Sequence, residues 1–155
     1  MKGFDYSTSG AYFVTICTKD RKCILSKIVE EGLCALPQNK LTPIGIEVEK
    51  SIKYINHNYN NVLIDKYIIM PNHIHLIVVL NSKLGGRGNP PLQNVIGQFK
   101  SFTTKQYGKQ LWQHSYHDHI IRDEKDYLNI WEYINSNALK WQDDKYYNRG
   151  EADES

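Results

Sequence analysis

Two strand-like segments separated by a tight break constrain the fold of this chain more than any other feature. Residues 62–70 and 76–80 are rich in branched apolar side chains, as buried strands are. Pro71 and Asn72 lie between the two segments and predict a turn. Strands joined by so short a turn run antiparallel, because a parallel pair needs a long crossover. The sequence therefore favours an antiparallel sheet over a doubly wound parallel one.

The other segments complete a mixed pattern of helices and strands. Thr42 and Pro43 mark the start of a helix that runs to about Asn56, and Asp123 with Asp126 marks the start of the last helix. Further strands are predicted at residues 11–18, 22–25 and 117–122, and a further helix at residues 92–107. The order β-(β)-α-β-β-α-β-α predicts an α+β fold, a ferredoxin-like antiparallel sheet with helices packed on one face plus a C-terminal helix.

Length and composition suit one globular domain. The chain has 155 residues, of which 41% are hydrophobic and 23% charged. We expect the domain to span residues 1–148 and the acidic residues 149–155 to form a flexible tail. No stretch approaches the roughly 20 apolar residues that cross a membrane, and no signal sequence is expected. Cys17, Cys23 and Cys34 lack paired spacing, which favours reduced thiols in a cytoplasmic protein.

His73 and His75 stand one residue apart at the start of the second apolar strand. Strand side chains alternate between faces, so both imidazoles point the same way, about 7 Å apart along the strand, and could hold a divalent metal ion. Hydrogen bonding to a neighbouring loop is the ordinary alternative. His117 and His119 have the same spacing, but only two apolar residues follow them. Because metal ligands need a packed support, the flanking residues favour the first pair.

The last helix carries an apolar stripe and, outside it, two polar side chains. The stripe recurs at spacings of three and four residues and comprises Tyr127, Trp131, Ile134, Ala138 and Trp141. Tyr133 and Asn137 lie outside the stripe, one turn apart on a shared face. They could be ordinary surface residues, or a nucleophile and a metal ligand of one site. The chain holds 11 tyrosines, so the pattern alone does not choose.

Positive charge is concentrated in one stretch of a chain whose net charge is only +2. Residues 81–110 contain no acidic residue and have Lys83, Arg87, Lys100, Lys105 and Lys109. A face that binds a polyanion would show this pattern. An ordinary solvated helix face would show it as well, and both interpretations stay open.

Three stretches together resemble the single-tyrosine HUH transposases, and within that superfamily the REP-associated tyrosine transposases. They are YIIMPNHIHLIVV (residues 67–79), WQHSYHDHIIR (residues 112–122) and DYLNIWEYINSN (residues 126–137). The resemblance extends over about residues 5–145, in the order and spacing of the family. The first stretch alone is moderately specific for this family, whereas the three stretches together are strongly specific for it.

This resemblance implies roles for six residues. It indicates that the metal ligands are His73, His75 and Asn137. The nucleophile, on a catalytic C-terminal helix, would be Tyr133. A structural or DNA-contacting role would belong to His119 and Arg122. Relatives usually follow the asparagine with proline, whereas this chain has Ala138. We therefore expect that the helix can continue past the site.

The resemblance also implies a reaction and its partners. Such proteins cut and rejoin single-stranded DNA through a 5′-phosphotyrosine intermediate, assisted by a divalent metal, here Mg²⁺ or Mn²⁺. The DNA partner is expected to be a single strand with an adjacent hairpin, and no membrane is involved. Contacts with its phosphates are expected from the basic stretch, through Lys83, Arg87, Lys100 and Lys105. A monomer and a homodimer with shared active sites both stay open.

Two other functions are compatible with the same residues. One is a metal-dependent nuclease that uses water, in which Tyr133 is merely structural. The other is a domesticated, non-catalytic relative that binds nucleic acid on the same scaffold. Substitution of Tyr133 by phenylalanine separates the tyrosine mechanism from the water mechanism.

Overall fold

The computed structural model describes residues 10–29, 38–80, 92–137 and 141. Its strands are β1 (Gly10–Cys17), β2 (Ser26–Val29), β3 (Gln38–Leu41), β4 (Val62–Ile69), β5 (His73–Leu80) and β6 (His117–Ile120). Its α-helices are α1 (Pro43–Asn58), α2 (Leu92–Tyr107) and α3 (Glu124–Asn135). Lys83, Arg87, Cys34, Ala138 and the acidic tail lie outside the described residues. In the described part, no helix is long and apolar enough to span a membrane.

Four strands form one antiparallel sheet in the order β4-β5-β1-β6. All eight residues of β5 are buried, because β5 has a strand on each side and helices above and below. The turn before β5 joins it to β4, as the sequence predicted. The predicted fold, an α+β ferredoxin-like antiparallel sheet with an added C-terminal helix, is confirmed.

The two faces of the sheet pack against different helices. The even-numbered residues of β5, such as Leu76 and Val78, belong to a core that includes α1 and α2. The odd-numbered Ile77 and Val79 belong to a second core that includes α3. Because strand side chains alternate, the histidines of β5 share the face that α3 covers.

Helix starts agree with the capping residues that the sequence indicated. Thr42 Oγ1 accepts a hydrogen bond from the Gly45 N–H at 3.2 Å and lies 2.9 Å from the Leu25 carbonyl oxygen. A side chain at Gly45 would collide with this same carbonyl, since an added Cβ would lie 2.0 Å from the oxygen. At α3, Asp123 Oδ1 accepts from the Asp126 N–H at 2.8 Å. Both predicted caps are therefore confirmed.

The short second strand is displaced from its predicted position. It spans Ser26–Val29 rather than residues 22–25, and it pairs with Gln38–Leu41 in a separate two-stranded sheet. The segment Gln-Asn-Lys-Leu carries no strand signal of its own, so β3 was not predicted. Pairing between the two segments, rather than local propensity, decides this part of the fold.

The last helix ends earlier than the apolar stripe suggested. It stops at Asn135, where the Ser136 N–H donates to the carbonyl oxygens of Glu132 and Ile134. The buried residues of the helix are Tyr127, Ile130 and Ile134. The expectation of a helix that continues past Asn137 is therefore wrong. Ser and Asn favour helix ends, because their side chains compete for backbone hydrogen bonds.

Contacts with β4 hold α3 against the sheet. The Tyr127 hydroxyl donates a hydrogen bond to Asp65 Oδ2, at the irregularity of the β4–β5 register. The next residue, Lys66, places Nζ 4.1 Å from the centroid of the Trp131 ring and donates to Asn135 Oδ1 at 3.2 Å. These contacts fix the helix that carries Tyr133.

We expect Tyr127→Phe to lower the free energy of unfolding by about 1–2 kcal/mol, because it removes a hydrogen bond to a partly buried carboxylate. Urea denaturation measures this change. Tyr54→Phe is the matched control, since Tyr54 is 53% exposed and its loss of a hydroxyl should change stability little. An equal stability for the two variants would show that the Asp65 contact does not anchor α3.

Candidate active site

His73 and His75 lie close together in the interior of the sheet. They are 0% and 1% exposed, and their ring centroids are 4.6 Å apart with an interplanar angle of 69°. The prediction that both side chains share one face is confirmed by the strand register, in which His73 faces Cys17 and His75 faces Thr15 on β1.

Each histidine has a hydrogen-bond partner at Nδ1. For His73 the partner is Asn72 Oδ1 at 2.9 Å, and for His75 it is Thr15 Oγ1 at 2.8 Å. A carboxamide oxygen can only accept, so Nδ1 of His73 carries the proton and Nε2 carries the lone pair. Metal-binding histidines are typically oriented in this way, by a hydrogen bond at the nitrogen that does not bind the metal.

Tyr133 lies beside this pair. Its ring centroid is 5.3 Å from that of His75, and the two rings meet at 62°. Phe13 contacts both, with centroids 5.1 Å from His75 and 6.1 Å from Tyr133. The Tyr133 side chain is 41% exposed. The structure thus brings a solvent-accessible phenol next to a buried pair of imidazoles within one chain.

Other tyrosines are engaged elsewhere. Burial, together with the neighbouring Glu49 carboxylate, raises the pKa of Tyr67 to about 12. Burial and the charge of Asp118 raise the pKa of Tyr116. A raised pKa makes a phenol harder to ionise, which disfavours both of these residues as nucleophiles.

Asn137 and Trp141 follow the end of α3. Asn137 is 2% exposed, and Tyr133 is 41% exposed. Because α3 ends at Asn135, Asn137 lies beyond the helix on which the sequence placed it. Trp141, which the sequence assigned to the helix stripe, is instead buried and stacks on His73 at a centroid distance of 6.1 Å. No sequence signal indicated this contact.

The competing histidines occupy a different environment. His117 and His119 lie on the edge strand β6, where both are exposed. His119 Nε2 lies 2.8 Å from Asp126 Oδ2 on α3, so this residue contacts the helix that carries Tyr133. Burial and support therefore favour His73 and His75 as the ligand pair.

The predicted DNA-contacting residues differ in their surroundings. Lys105 and Arg122 are exposed. Lys100 Nζ donates to the carbonyl oxygens of Gln113 at 2.5 Å and His114 at 3.0 Å, and burial lowers its pKa. Lys100 thus holds the segment that follows α2, in addition to any contact with DNA.

Within the residues that the structure describes, no group of three or more His, Cys, Asp and Glu side chains could hold a metal ion. The candidate set here is a different one, of two imidazoles and a carboxamide. A metal bound by His73 and His75 would have to complete its coordination with Asn137, water or substrate oxygens.

Two proteins of Haemophilus influenzae (strain ATCC 51907 / DSM 11121 / KW20 / Rd) are similar in sequence. An uncharacterized protein is 33% identical over 168 aligned residues, which cover 95% of this chain and 90% of the relative. A putative REP-associated tyrosine transposase is 27% identical over 147 aligned residues, which cover 88% of this chain and 74% of the relative. No family model matches the sequence.

Two solved structures are similar in fold. A REP-associated tyrosine transposase bound to a REP hairpin superposes with a TM-score of 0.65 at 22% identity, covering 91% of this chain and 74% of that one. A putative transposase from Deinococcus radiodurans R1 gives a TM-score of 0.53 at 16% identity, covering 88% and 95%. This chain therefore shares the fold of both proteins. The likeness to REP-associated tyrosine transposases is thus seen in both sequence and fold.

We expect Thr15→Val to lower the free energy of unfolding by about 1–3 kcal/mol, because it leaves Nδ1 of the buried His75 without its hydroxyl partner. Thr15→Ser keeps the oxygen and should cost less.

Long-range ¹H–¹⁵N spectra of the neutral imidazoles should show Nδ1 protonated in His73 of the native protein. Protonation of His73 at Nε2 instead would contradict the hydrogen-bond assignment.

Proposed function

We propose that this protein is a transposase that cleaves and rejoins single-stranded DNA, with Tyr133 as the nucleophile and His73 and His75 as ligands of a divalent metal ion. The observation that carries the proposal is the contact between the Tyr133 and His75 rings, 5.3 Å apart in the same chain. A phosphate group bound at the histidines would lie next to the Tyr133 side chain.

The residues present fit a metal of the Mg²⁺ or Mn²⁺ type. The hydrogen bonds at Nδ1 make Nε2 the nitrogen that each histidine would present. Asn137 would supply a carboxamide oxygen as a third ligand. Two imidazoles and one oxygen do not form the closed four-ligand set of structural zinc. When bound, the ion would neutralise a non-bridging phosphate oxygen.

The chain itself supplies the nucleophile and its orientation. The Tyr133 oxygen attacks phosphorus, a bond from this oxygen to phosphorus forms, and the bond from phosphorus to the 3′ oxygen breaks. The phenolic proton is lost, and the leaving 3′ oxygen gains a proton to become a hydroxyl. Attack of a 3′ hydroxyl on the phosphotyrosine reverses these steps and rejoins a strand. The phosphodiester energy is conserved in the covalent bond, so no nucleotide cofactor is required.

The substrate and assembly are proposed from the same observations. A similar protein is bound to a REP hairpin, which supports a single strand beside a hairpin as the DNA partner of this chain. Because Tyr133 and His75 contact each other within one chain, the geometry supports a self-contained active site over one shared between two subunits of a homodimer. A DNA substrate fits the cytoplasmic location that the sequence predicts.

Tyr133→Phe tests the tyrosine mechanism. We expect this variant to bind single-stranded DNA but to lose both cleavage and the covalent adduct, because phenylalanine has no oxygen to attack phosphorus. Denaturing gel electrophoresis of a labelled strand measures both products, and Tyr54→Phe is the control with an intact nucleophile. Cleavage by Tyr133→Phe without an adduct would instead indicate a nuclease that uses water. Binding without cleavage by the native protein would indicate the non-catalytic alternative.

Metal removal tests the histidine pair. A chelator should abolish cleavage, and Mg²⁺ or Mn²⁺ should restore it. In calorimetric titrations with Mn²⁺, His73→Ala and His75→Ala should each bind at least about tenfold more weakly, since a ligand is lost. His117→Ala is the control, because His117 is exposed on β6. Unchanged Mn²⁺ affinity in the first two variants would contradict the proposed ligands.

A further inference from the structure

Three lysines from two distant parts of the chain surround one small pocket. Lys19 and Lys22 belong to the turn that follows β1, and Lys109 follows α2. The pocket has a volume of about 140 Å³, and its wall is apolar where Ile24 and Leu111 line it. Lys109 lies in the basic stretch that the sequence indicated, whereas Lys19 and Lys22 do not, so the pocket adds two lysines from another part of the chain.

The charges around this lysine pocket do not balance. Asp20 is the one acidic residue in its lining, against three lysines. Among the described residues, no carboxylate lies within ion-pair distance of Lys19, Lys22 or Lys109. Lys109 Nζ instead lies 5.2 Å from the centroid of the Tyr107 ring. Lysines that converge without a counter-ion raise the local positive potential, which favours a bound anion.

The turn that carries two of these lysines is firmly held. The Lys19 N–H donates to the Leu111 carbonyl oxygen at 2.9 Å, and the Thr18 hydroxyl donates to the Lys22 carbonyl oxygen at 2.8 Å. Asp20 and Arg21 both adopt left-handed backbone conformations, with φ of 58° and 55°. Such conformations cost about 1–2 kcal/mol per residue, so the surrounding hydrogen bonds must hold them. The pocket is therefore largely formed before any ligand arrives.

The same turn is joined to the histidine pair. The Thr18 N–H donates to the Asn72 carbonyl oxygen at 3.0 Å, and Asn72 Nδ2 donates to the Arg21 carbonyl oxygen at 3.4 Å. Asn72 Oδ1 in turn accepts from Nδ1 of His73. A group bound in the lysine pocket would therefore be held in a fixed position relative to the candidate active site.

The geometry points to the lysine pocket as a binding site for a backbone phosphate of the DNA strand. This inference rests on the proposed function, since the strand is the one that Tyr133 would cleave. Lysine contacts phosphate as a point charge and reads no base, so the site would position the strand without selecting its sequence. A strand anchored there and at the histidines would be fixed at two phosphates rather than one.

The test compares two triple variants that lose the same charge. In the first, Lys19, Lys22 and Lys109 are replaced by glutamine. In the control variant, Lys27, Lys50 and Lys53 are replaced by glutamine, since these are exposed lysines that do not line the pocket. The binding of labelled oligo(dT) is measured by fluorescence anisotropy over a range of salt concentrations, with a chelator present. Thermal unfolding checks that both variants are folded.

We expect the pocket variant to bind oligo(dT) about tenfold more weakly at low salt. The slope of log K against log salt should become shallower by about 0.7, because the pocket holds one phosphate and each phosphate contact on a single strand contributes about 0.7. The control variant should keep the native slope. Equal slopes for the two variants, or no binding of oligo(dT) by the native protein, would overturn the inference.

Two further readouts distinguish a DNA phosphate from a free phosphate ion in the pocket, and the lysine pocket from the tyrosine mechanism. A free inorganic phosphate ion could occupy the same pocket. If inorganic phosphate displaced oligo(dT) at constant ionic strength, the pocket would be reassigned to a free phosphate ion. The binding assay contains no divalent metal and requires no cleavage. Loss of the salt-slope difference would therefore refute the lysine pocket alone, whereas cleavage by Tyr133→Phe would refute the tyrosine mechanism alone.

Discussion

The register between β1 and β5 is the constraint on which the rest of the structure depends. It places Thr15 opposite His75 and Cys17 opposite His73, on the face that α3 covers. A shift by one residue would move every side chain of β5 to the other face, and the histidines would enter the core beneath α1 and α2. Because Leu76 and Val78 are completely buried in that core, such a shift is strongly disfavoured. The hydrophobic core thus determines where the polar site lies.

The candidate site is assembled from elements that are distant in sequence. β5 supplies the imidazoles, β1 supplies Thr15, and the turn before β5 supplies Asn72. α3 brings Tyr133 to the same face, and its contacts with Asp65 and Lys66 of β4 hold it there. Stability and the proposed chemistry therefore depend on the same packing, since loosening α3 would move the nucleophile away from the histidines.

Sequence reasoning succeeded where a local rule applies. The alternation of strand residues correctly predicted that His73 and His75 share a face, and capping chemistry correctly placed the starts of α1 and α3 at Thr42 and Asp123. These features depend on a few neighbouring residues. The antiparallel sheet and the added C-terminal helix followed from the predicted fold class.

The features that sequence reasoning missed depend on contacts between distant segments. Pairing with Ser26–Val29 makes a strand of Gln38–Leu41, although three of its four residues are polar. The stacking of Trp141 on His73 depends on where α3 ends. The apolar residues continue at helical spacing beyond that end, so the sequence pattern did not indicate it. The partners of the two histidine Nδ1 atoms likewise come from the strand register and the turn, which no local pattern reveals.

The central claim is that the buried histidine pair and Tyr133 form one metal-assisted site. Anomalous diffraction from crystals of the protein soaked in Mn²⁺ tests it most directly. The account predicts one strong manganese peak in contact with Nε2 of both His73 and His75, on the side facing Tyr133. A peak at the exposed histidines of β6 instead, or none beside His73 and His75, would contradict it.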